Sequence, residues 1–366
     1  MNIIILTLPL HANYGGVLQA FALQEVLKRM GHDVAILDCN RRISSFRKFL
    51  RKNKYKIISL LKRKKCISPS DIIKLSGENI FKFVDKHFFY VKLSDLKKTK
   101  AKRFDAIIVG SDQVWRHDYA PNILTYYLDF AEKWDIKKIA YAASFGKDVW
   151  DYSEKETLRS KALLQLFSSV SVREQSAVSL CKEELDKDVE LLLDPTLLLC
   201  QNDYVSFSKH ESTNLTGKLF CYIMDEDNVK TSMINKLSES SSLESYVVKD
   251  ILKEAEVLNG KIKPAVEFWI KCFIDAEYVF TDSYHGCVFS ILYNKPFIVY
   301  GNEKRGMTRF HSILHQFELE DRLITSLDDA ERLFYSKIDW DVVNQKLAIM
   351  RQESLSFLYA NLNRSL

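Results

Sequence analysis

Ala276-Glu277-Tyr278-Val279-Phe280-Thr281-Asp282-Ser283-Tyr284-His285-Gly286-Cys287-Val288-Phe289-Ser290-Ile291-Leu292-Tyr293-Asn294-Lys295-Pro296-Phe297-Ile298-Val299-Tyr300-Gly301 is the stretch that fixes the fold class. Residues 278–280 read as a buried strand and 296–300 as the next one. Between them, 287–293 read as a helix whose apolar face recurs at Val288, Ile291 and Leu292. The pattern is one βαβ unit. In open α/β sheets the ligand crevice lies beyond the carboxyl ends of the strands, where a helix starts with unpaired N–H groups and a partial positive charge. His285 falls at that spot. Ser283 suits a helix N-cap, and Gly286 removes a side chain where backbone could approach a bound anion. A histidine so placed serves either a site or the core.

Working outward, 366 residues suggest two domains of ordinary size, and a 47% hydrophobic fraction is enough for sizeable cores. Residues 3–8 are too short to span a membrane, carry no basic leader and run straight into Asn13-Tyr14-Gly15-Gly16, so they read as a first strand. Seven cysteines, odd in number and without a C-x-x-C pair, read as reduced thiols and not as a disulfide frame or zinc site. A cytoplasmic location is expected.

The first βαβ unit is strand 2–8, helix 17–30 with Leu18, Ala22, Val26 and Leu27 on its core stripe, Gly31 as C-cap, and strand 33–37. Gly15 and Gly16 open this helix. They could bring backbone amides to a ligand, although a tight turn explains them equally well and no G-x-G-x-x-G pattern is present. Twelve Lys or Arg and no Asp or Glu then fall within 41–65, so the rest of a chain of net charge +5 is acidic on balance. Phe46, Phe49, Leu50, Ile57, Leu60 and Leu61 recur at helical spacing in that stretch, the composition of a helix lying on an anionic membrane. A solvated basic face or a nucleic-acid patch shares the composition.

Strand 104–109 ends in Gly110-Ser111-Asp112-Gln113-Val114-Trp115. Asp112, just past the strand, is placed to act as a base, to hold a sugar hydroxyl or to cap a helix; Gln113 and Trp115 add an amide and a flat apolar face. Strands 138–143 and 170–172 follow, and Arg173 after the latter is set either to grip phosphate or carboxylate in a fork or to pair with Glu174 or Asp112. Leu193-Asp194-Pro195-Thr196 closes the first domain. A second α/β set has strands at 218–224 and 245–248 and helices at 228–237 and 265–274. His311 and His315 lack the Glu of a zinc-protease motif and read as core or surface histidines. The domains are thus 1–196, 197–344 and a terminal helix, 345–366, that packs back on the first domain.

The ordered motifs Asn13-Tyr14-Gly15-Gly16-Val17-Leu18-Gln19-Ala20, Gly110 to Trp115, Tyr141-Ala142-Ala143-Ser144-Phe145-Gly146, Val172-Arg173-Glu174, Leu193 to Thr196 and Thr281 to Gly286 resemble those of the polysaccharide pyruvyl transferase family. The resemblance implies a GT-B-like fold, two Rossmann-type domains facing a cleft. It implies phosphoenolpyruvate as donor, a sugar of a cell-surface glycan or its lipid-linked precursor as acceptor, and a pyruvate ketal as product. No cofactor, metal, nucleotide or nucleic acid is expected, and 41–65 would meet the membrane. His285 matches the family's proton-transfer histidine, with Asp112 as a second catalytic candidate. Arg173, Ser283, Gly286, Lys304 and Arg305 fall on the donor side, and Asn13, Tyr14, Gly15, Gly16, Gln113 and Trp115 on the acceptor side. The family carries Arg two residues before this histidine, whereas this chain has Ser283, so Lys295, Lys304, Arg305 or Arg309 would have to compensate. A GT-B glycosyltransferase using a nucleotide sugar and a non-catalytic glycan-binding protein are the rival readings.

Overall fold

Two wholly parallel sheets, each wrapped by helices, carry the chain. The computed structural model describes residues 1–10, 13–39, 74–99, 101–120, 122–209, 211–213, 215–225, 227–248, 262–301 and 306–362. The basic stretch 41–65, Lys304 and Arg305 therefore lie outside the described residues. The first sheet contains β1 (Asn2–Leu6), β2 (Asp33–Asp38), β3 (Tyr90–Lys92), β4 (Ala106–Gly110), β5 (Lys137–Ala143), β6 (Ser169–Val172) and β7 (Glu190–Leu191) in the order β3-β2-β1-β4-β5-β6-β7. Its helices are α1 (Tyr14–Arg29), α2 (Glu78–His87), α3 (Leu93–Thr99), α4 (Glu154–Leu164) and α5 (Gln175–Leu185). After α6 (Gln201–Ser208) comes the second sheet, with β8 (Lys218–Tyr222), β9 (Glu244–Val247), β10 (Tyr278–Thr281), β11 (Phe297–Tyr300) and β12 (Leu323–Ile324) in the order β12-β11-β10-β8-β9. Its helices are α7 (Asn228–Ser241), α8 (Val266–Asp275), α9 (Tyr284–Leu292), α10 (Thr308–Phe317) and α11 (Leu327–Phe334), and α12 (Trp340–Leu362) ends the described chain.

The central strands have unbroken apolar runs because both faces are covered: Ile3 to Leu6, Ala106 to Val109, Leu219 to Cys221 and Phe297 to Val299 are buried without alternation. The two halves share one apolar core. Tyr14 stacks on Trp269 of α8, ring centroids 5.1 Å apart at 11°, and donates its hydroxyl to the Pro264 carbonyl at 2.8 Å. Helix α12 returns to the first sheet, where Arg351 Nε donates to the Leu197 carbonyl at 2.7 Å, Ser354 Oγ accepts from Leu193 N at 3.1 Å, and Lys137 donates to the Asn361 carbonyl at 2.7 Å. No helix among the described residues is long and apolar enough to cross a membrane.

One boundary bears on function. Helix α9 begins at Tyr284, earlier than the periodicity of its apolar face suggests, since the Ser283 side chain accepts from Gly286 N and places His285 inside the first turn. Gly286 is packed so tightly that a Cβ would sit 2.2 Å from Thr281 Oγ1. Its role is close helix–strand packing, and the expectation that its backbone meets an anion is corrected accordingly.

Candidate active site

A doubly wound sheet reverses its winding at one point, and there the loops on either side diverge to leave a crevice. In the first sheet this is between β1 and β4, in the second between β8 and β10. The loop after β1 leads to Asn13 and α1, the loop after β4 bears Asp112, and the turn after β10 bears His285. The two crevices face each other. The proof is steric: a Cβ on Gly15 would lie 2.0 Å from His285 Nδ1, so only glycine lets an imidazole of the second sheet lie against α1 of the first. Gly16 stands beside Asp112, its virtual Cβ 3.4 Å from Asp112 Oδ2, while Asn13 caps α1 by accepting from Gly15 N at 3.1 Å.

Beneath the histidine is a buried network of charge. His285 Nε2 is 3.8 Å from Asp194 Oδ2, and Asp194 Oδ1 accepts from Thr196 N at 3.0 Å and Thr196 Oγ1 at 2.7 Å. Arg173 pairs with Asp194 through a short contact and with Asp112 at 3.3 Å, and it donates to Ser111 Oγ at 3.3 Å. Its guanidinium lies over the Tyr284 ring, 4.9 Å from the centroid, as does that of Arg309 at 5.2 Å. Asp112 holds φ at 74°, a left-handed backbone in a non-glycine residue of the kind found where a site dictates geometry. Four buried polar atoms here have no hydrogen-bond partner among the described residues: His285 Nε2, Arg173 Nε, Tyr284 Oη and Glu174 Oε2. Native interiors satisfy nearly all such atoms, so a cluster of exceptions needs an explanation, and a polar ligand supplies one.

Burial dominates the titration of His285 and pushes it down from 6.5 to about 4; Asp194 and Asp112 oppose the shift, whereas Arg173 and Arg309 add to it. The resting side chain is neutral imidazole, able to take a proton. Burial alone would raise Asp194, but the Arg173 guanidinium, His285 and the two Thr196 bonds hold it below the usual carboxylate range. Asp194 is therefore an anion beside the ring.

The structure thus gathers Asn13, Gly15, Gly16, Asp112, Arg173, Ser283 and His285 at one place, and it removes others. Trp115 is fully buried, stacked on Tyr127 at 5.3 Å with its indole N–H given to the Tyr126 carbonyl at 3.3 Å, so it has no face for a sugar. Tyr14 is an interdomain packing residue and not an acceptor contact. Gln113 is buried, with Oε1 accepting from Arg116 at 2.9 Å, and it braces the loop instead of reaching outward. Lys295 donates to the Ala276 carbonyl at 2.8 Å, at the amino end of β10 and so on the far side from His285, and of the four candidate cations Arg309 is the one that the described residues place beside the histidine's turn. Of the two partners weighed for Arg173, Asp112 is present, and Asp194 is the stronger one that sequence reasoning missed. The Asp-Pro-Thr turn after β7 carried the signal: an Asp whose side chain caps the turn at Thr196, three residues past a strand at the sheet's carboxyl edge.

The fold agrees with comparisons to known proteins. In overall shape the chain is similar to UDP-GlcNAc 2-epimerase from Methanocaldococcus jannaschii, at 13% identity over 97% of this chain and 99% of that one, with a TM-score of 0.52. It is also similar to the UDP-GlcNAc 2-epimerase from Neisseria meningitidis, at 11% identity over 98% and 100%, with a TM-score of 0.50. These likenesses establish the GT-B fold and nothing finer. Among curated proteins there is no match. The family model for polysaccharide pyruvyl transferase covers residues 13–304, a span running from the Asn13 cap through Asp112, Arg173, Asp194 and His285. By that match, the chain that joins these groups in one cleft belongs to the polysaccharide pyruvyl transferase family.

Proposed function

We propose that this chain moves the pyruvyl group of phosphoenolpyruvate onto two hydroxyls of one sugar in a surface polysaccharide or its lipid-linked precursor, giving a pyruvate ketal and inorganic phosphate. The observation that carries the reading is His285: neutral, packed between α1 and Asp194, with a buried Nε2 that makes no hydrogen bond among the described residues. A neutral imidazole beside a carboxylate can accept the proton of an attacking hydroxyl, and the imidazolium so formed is held by Asp194. It can then pass that proton to the methylene carbon of the donor, which becomes the ketal methyl. The second hydroxyl proton leaves with phosphate, so the atoms balance without a redox step.

A donor carrying phosphate and carboxylate needs fixed positive charge in a partly dry cleft. Arg173 is largely neutralised by Asp112 and Asp194, so Arg309 and the amino termini of α1 and α9 contribute the remaining field, and Ser283 at the α9 cap stands where the family arginine would. Thermal unfolding tests the reading. Phosphoenolpyruvate should raise the melting temperature in a concentration-dependent way and nucleotide sugars should not. Stabilisation by nucleotide sugars alone would overturn pyruvyl transfer in favour of a glycosyltransferase.

A further inference from the structure

Glu174 stands at the N-cap of α5, yet its fully buried side chain makes no cap bond to its own helix. It turns instead to the loop after β5. There a single carboxylate oxygen, Oε1, accepts from Ser144 Oγ at 2.9 Å, Phe145 N at 2.8 Å and Gly146 N at 2.9 Å. Successive backbone amides converging on one anion form a nest, and the left-handed Gly146, with φ at 65°, gives the nest its shape. Glu174 enters no ion pair among the described residues; Arg173 beside it is taken by Asp112 and Asp194. The side chain acts by reach.

The loop held in this way touches both halves of the molecule. In the first, the Ser144 carbonyl accepts from Trp115 N at 3.1 Å, in the loop that carries Asp112. In the second, a Cβ on Gly306 would lie 2.2 Å from the Gly146 carbonyl oxygen, so the two backbones meet there, and α10 starts two residues later. Gln175 N, next to Glu174, donates to Ser312 Oγ of the same helix at 3.1 Å. Arg309 falls between these two anchors, with its guanidinium over the Tyr284 ring. We propose that Glu174 is a positioning residue that, by holding the 144–146 loop against Gly306, sets α10 so that Arg309 meets the donor's anionic groups. The inference deepens the pyruvyl-transfer reading and rests on it for the identity of the donor, not for the placement of α10.

Two substitutions in the full chain separate reach from charge, with melting temperature as a check on folding. Glu174→Asp keeps the charge but is a methylene shorter, so its oxygens fall short of the three donors. Glu174→Gln keeps the length and an accepting carbonyl oxygen but loses the charge. Hydrogen exchange read by mass spectrometry should quicken in Glu174→Asp both across 144–146 and in the first turns of α10, where His311 N donates to the Met307 carbonyl at 3.0 Å. Titration should show phosphoenolpyruvate bound about tenfold or more weakly in that variant, and within about threefold of wild type in Glu174→Gln. Because the role runs through Arg309, adding Arg309→Gln to Glu174→Asp should weaken binding no further than Arg309→Gln alone does. Gly306→Ala, whose Cβ would meet the Gly146 carbonyl, should reproduce the donor loss and the α10 exchange while 144–146 stays protected. It carries the test if Glu174→Asp does not fold. The reverse order of Asp and Gln, exchange changes confined to 144–146, losses that multiply in the double variant, or wild-type affinity in folded Gly306→Ala would each overturn the positioning role and leave pyruvyl transfer standing. A wild type that ignores phosphoenolpyruvate, with α10 exchange still following Glu174, would overturn pyruvyl transfer and leave the placement of α10 standing.

Discussion

Two buried ion pairs sit one on each side of the cleft, and they differ in how completely they are satisfied. Lys230 and Asp282, 2.9 Å apart and both nearly inaccessible, are closed on themselves: Asp282 also accepts from Met224 N at 2.6 Å and Asp225 N at 3.2 Å, and Lys230 donates to the Asp225 carbonyl at 2.5 Å. That pair ties the loop after β8 to the turn before α9. Arg173 with Asp194 and Asp112 is built of the same chemistry but is left open, with Arg173 Nε and the neighbouring His285 Nε2 making no hydrogen bond among the described residues. Since a buried unsatisfied polar atom costs about 1–3 kcal/mol, the open network is retained for something other than stability. The complete pair braces the cleft, and the incomplete one is the proposed site.

The sharpest way to break this comparison is to strip each network of one member. Lys230→Met leaves Asp282 buried without its countercharge and should cost about 3–5 kcal/mol in chemical denaturation, with turnover per folded molecule close to wild type. A comparable loss of turnover would place Lys230 in the chemistry. For His285→Asn the ranking is reversed, with turnover falling on the order of a hundredfold or more while stability changes little. An active, folded variant would end the histidine's role. Arg309→Gln should weaken phosphoenolpyruvate binding by about 1.5–3 kcal/mol, read by titration calorimetry, and leave acceptor binding unaltered.

The smallest effect is in pH. With the folded value near 4 and the unfolded value near 6.5, His285 binds its proton in the unfolded chain first as pH falls. Its contribution is fully present above about 6.5 and is lost between there and about 4, so wild type should lose more stability than His285→Asn over that window. The same side chain as base should keep kcat/KM from declining on its account until pH approaches 4. Equal acid sensitivity of the two proteins would show that the imidazole is not held neutral by burial.

Much of this was legible in the chain because local rules set it. The apolar strands, the Gly15-Gly16 helix start and the Ser283 cap follow from periodicity and capping chemistry, and they put His285 and Asp112 at strand ends. Residues whose roles depend on distant partners were not legible. Trp115 looks like a sugar platform until Tyr127 covers it, Gly286 looks like an anion contact until Thr281 packs against it, and Asp194 acquires meaning only when Arg173 and His285 arrive from other strands. Lys230 and Asp282, 52 residues apart, show no sign in sequence of being joined.

The central claim, that the open network around His285 transfers a pyruvyl group, is tested most directly by incubating the full chain with phosphoenolpyruvate and lipid-linked glycan, then weighing the glycan and measuring phosphate. The account predicts acceptor carrying one pyruvate ketal for each phosphate released, with both signals falling together in His285→Asn and both retained per folded molecule in Lys230→Met. Phosphate release without a ketal, or ketal formation undiminished in His285→Asn, would contradict it.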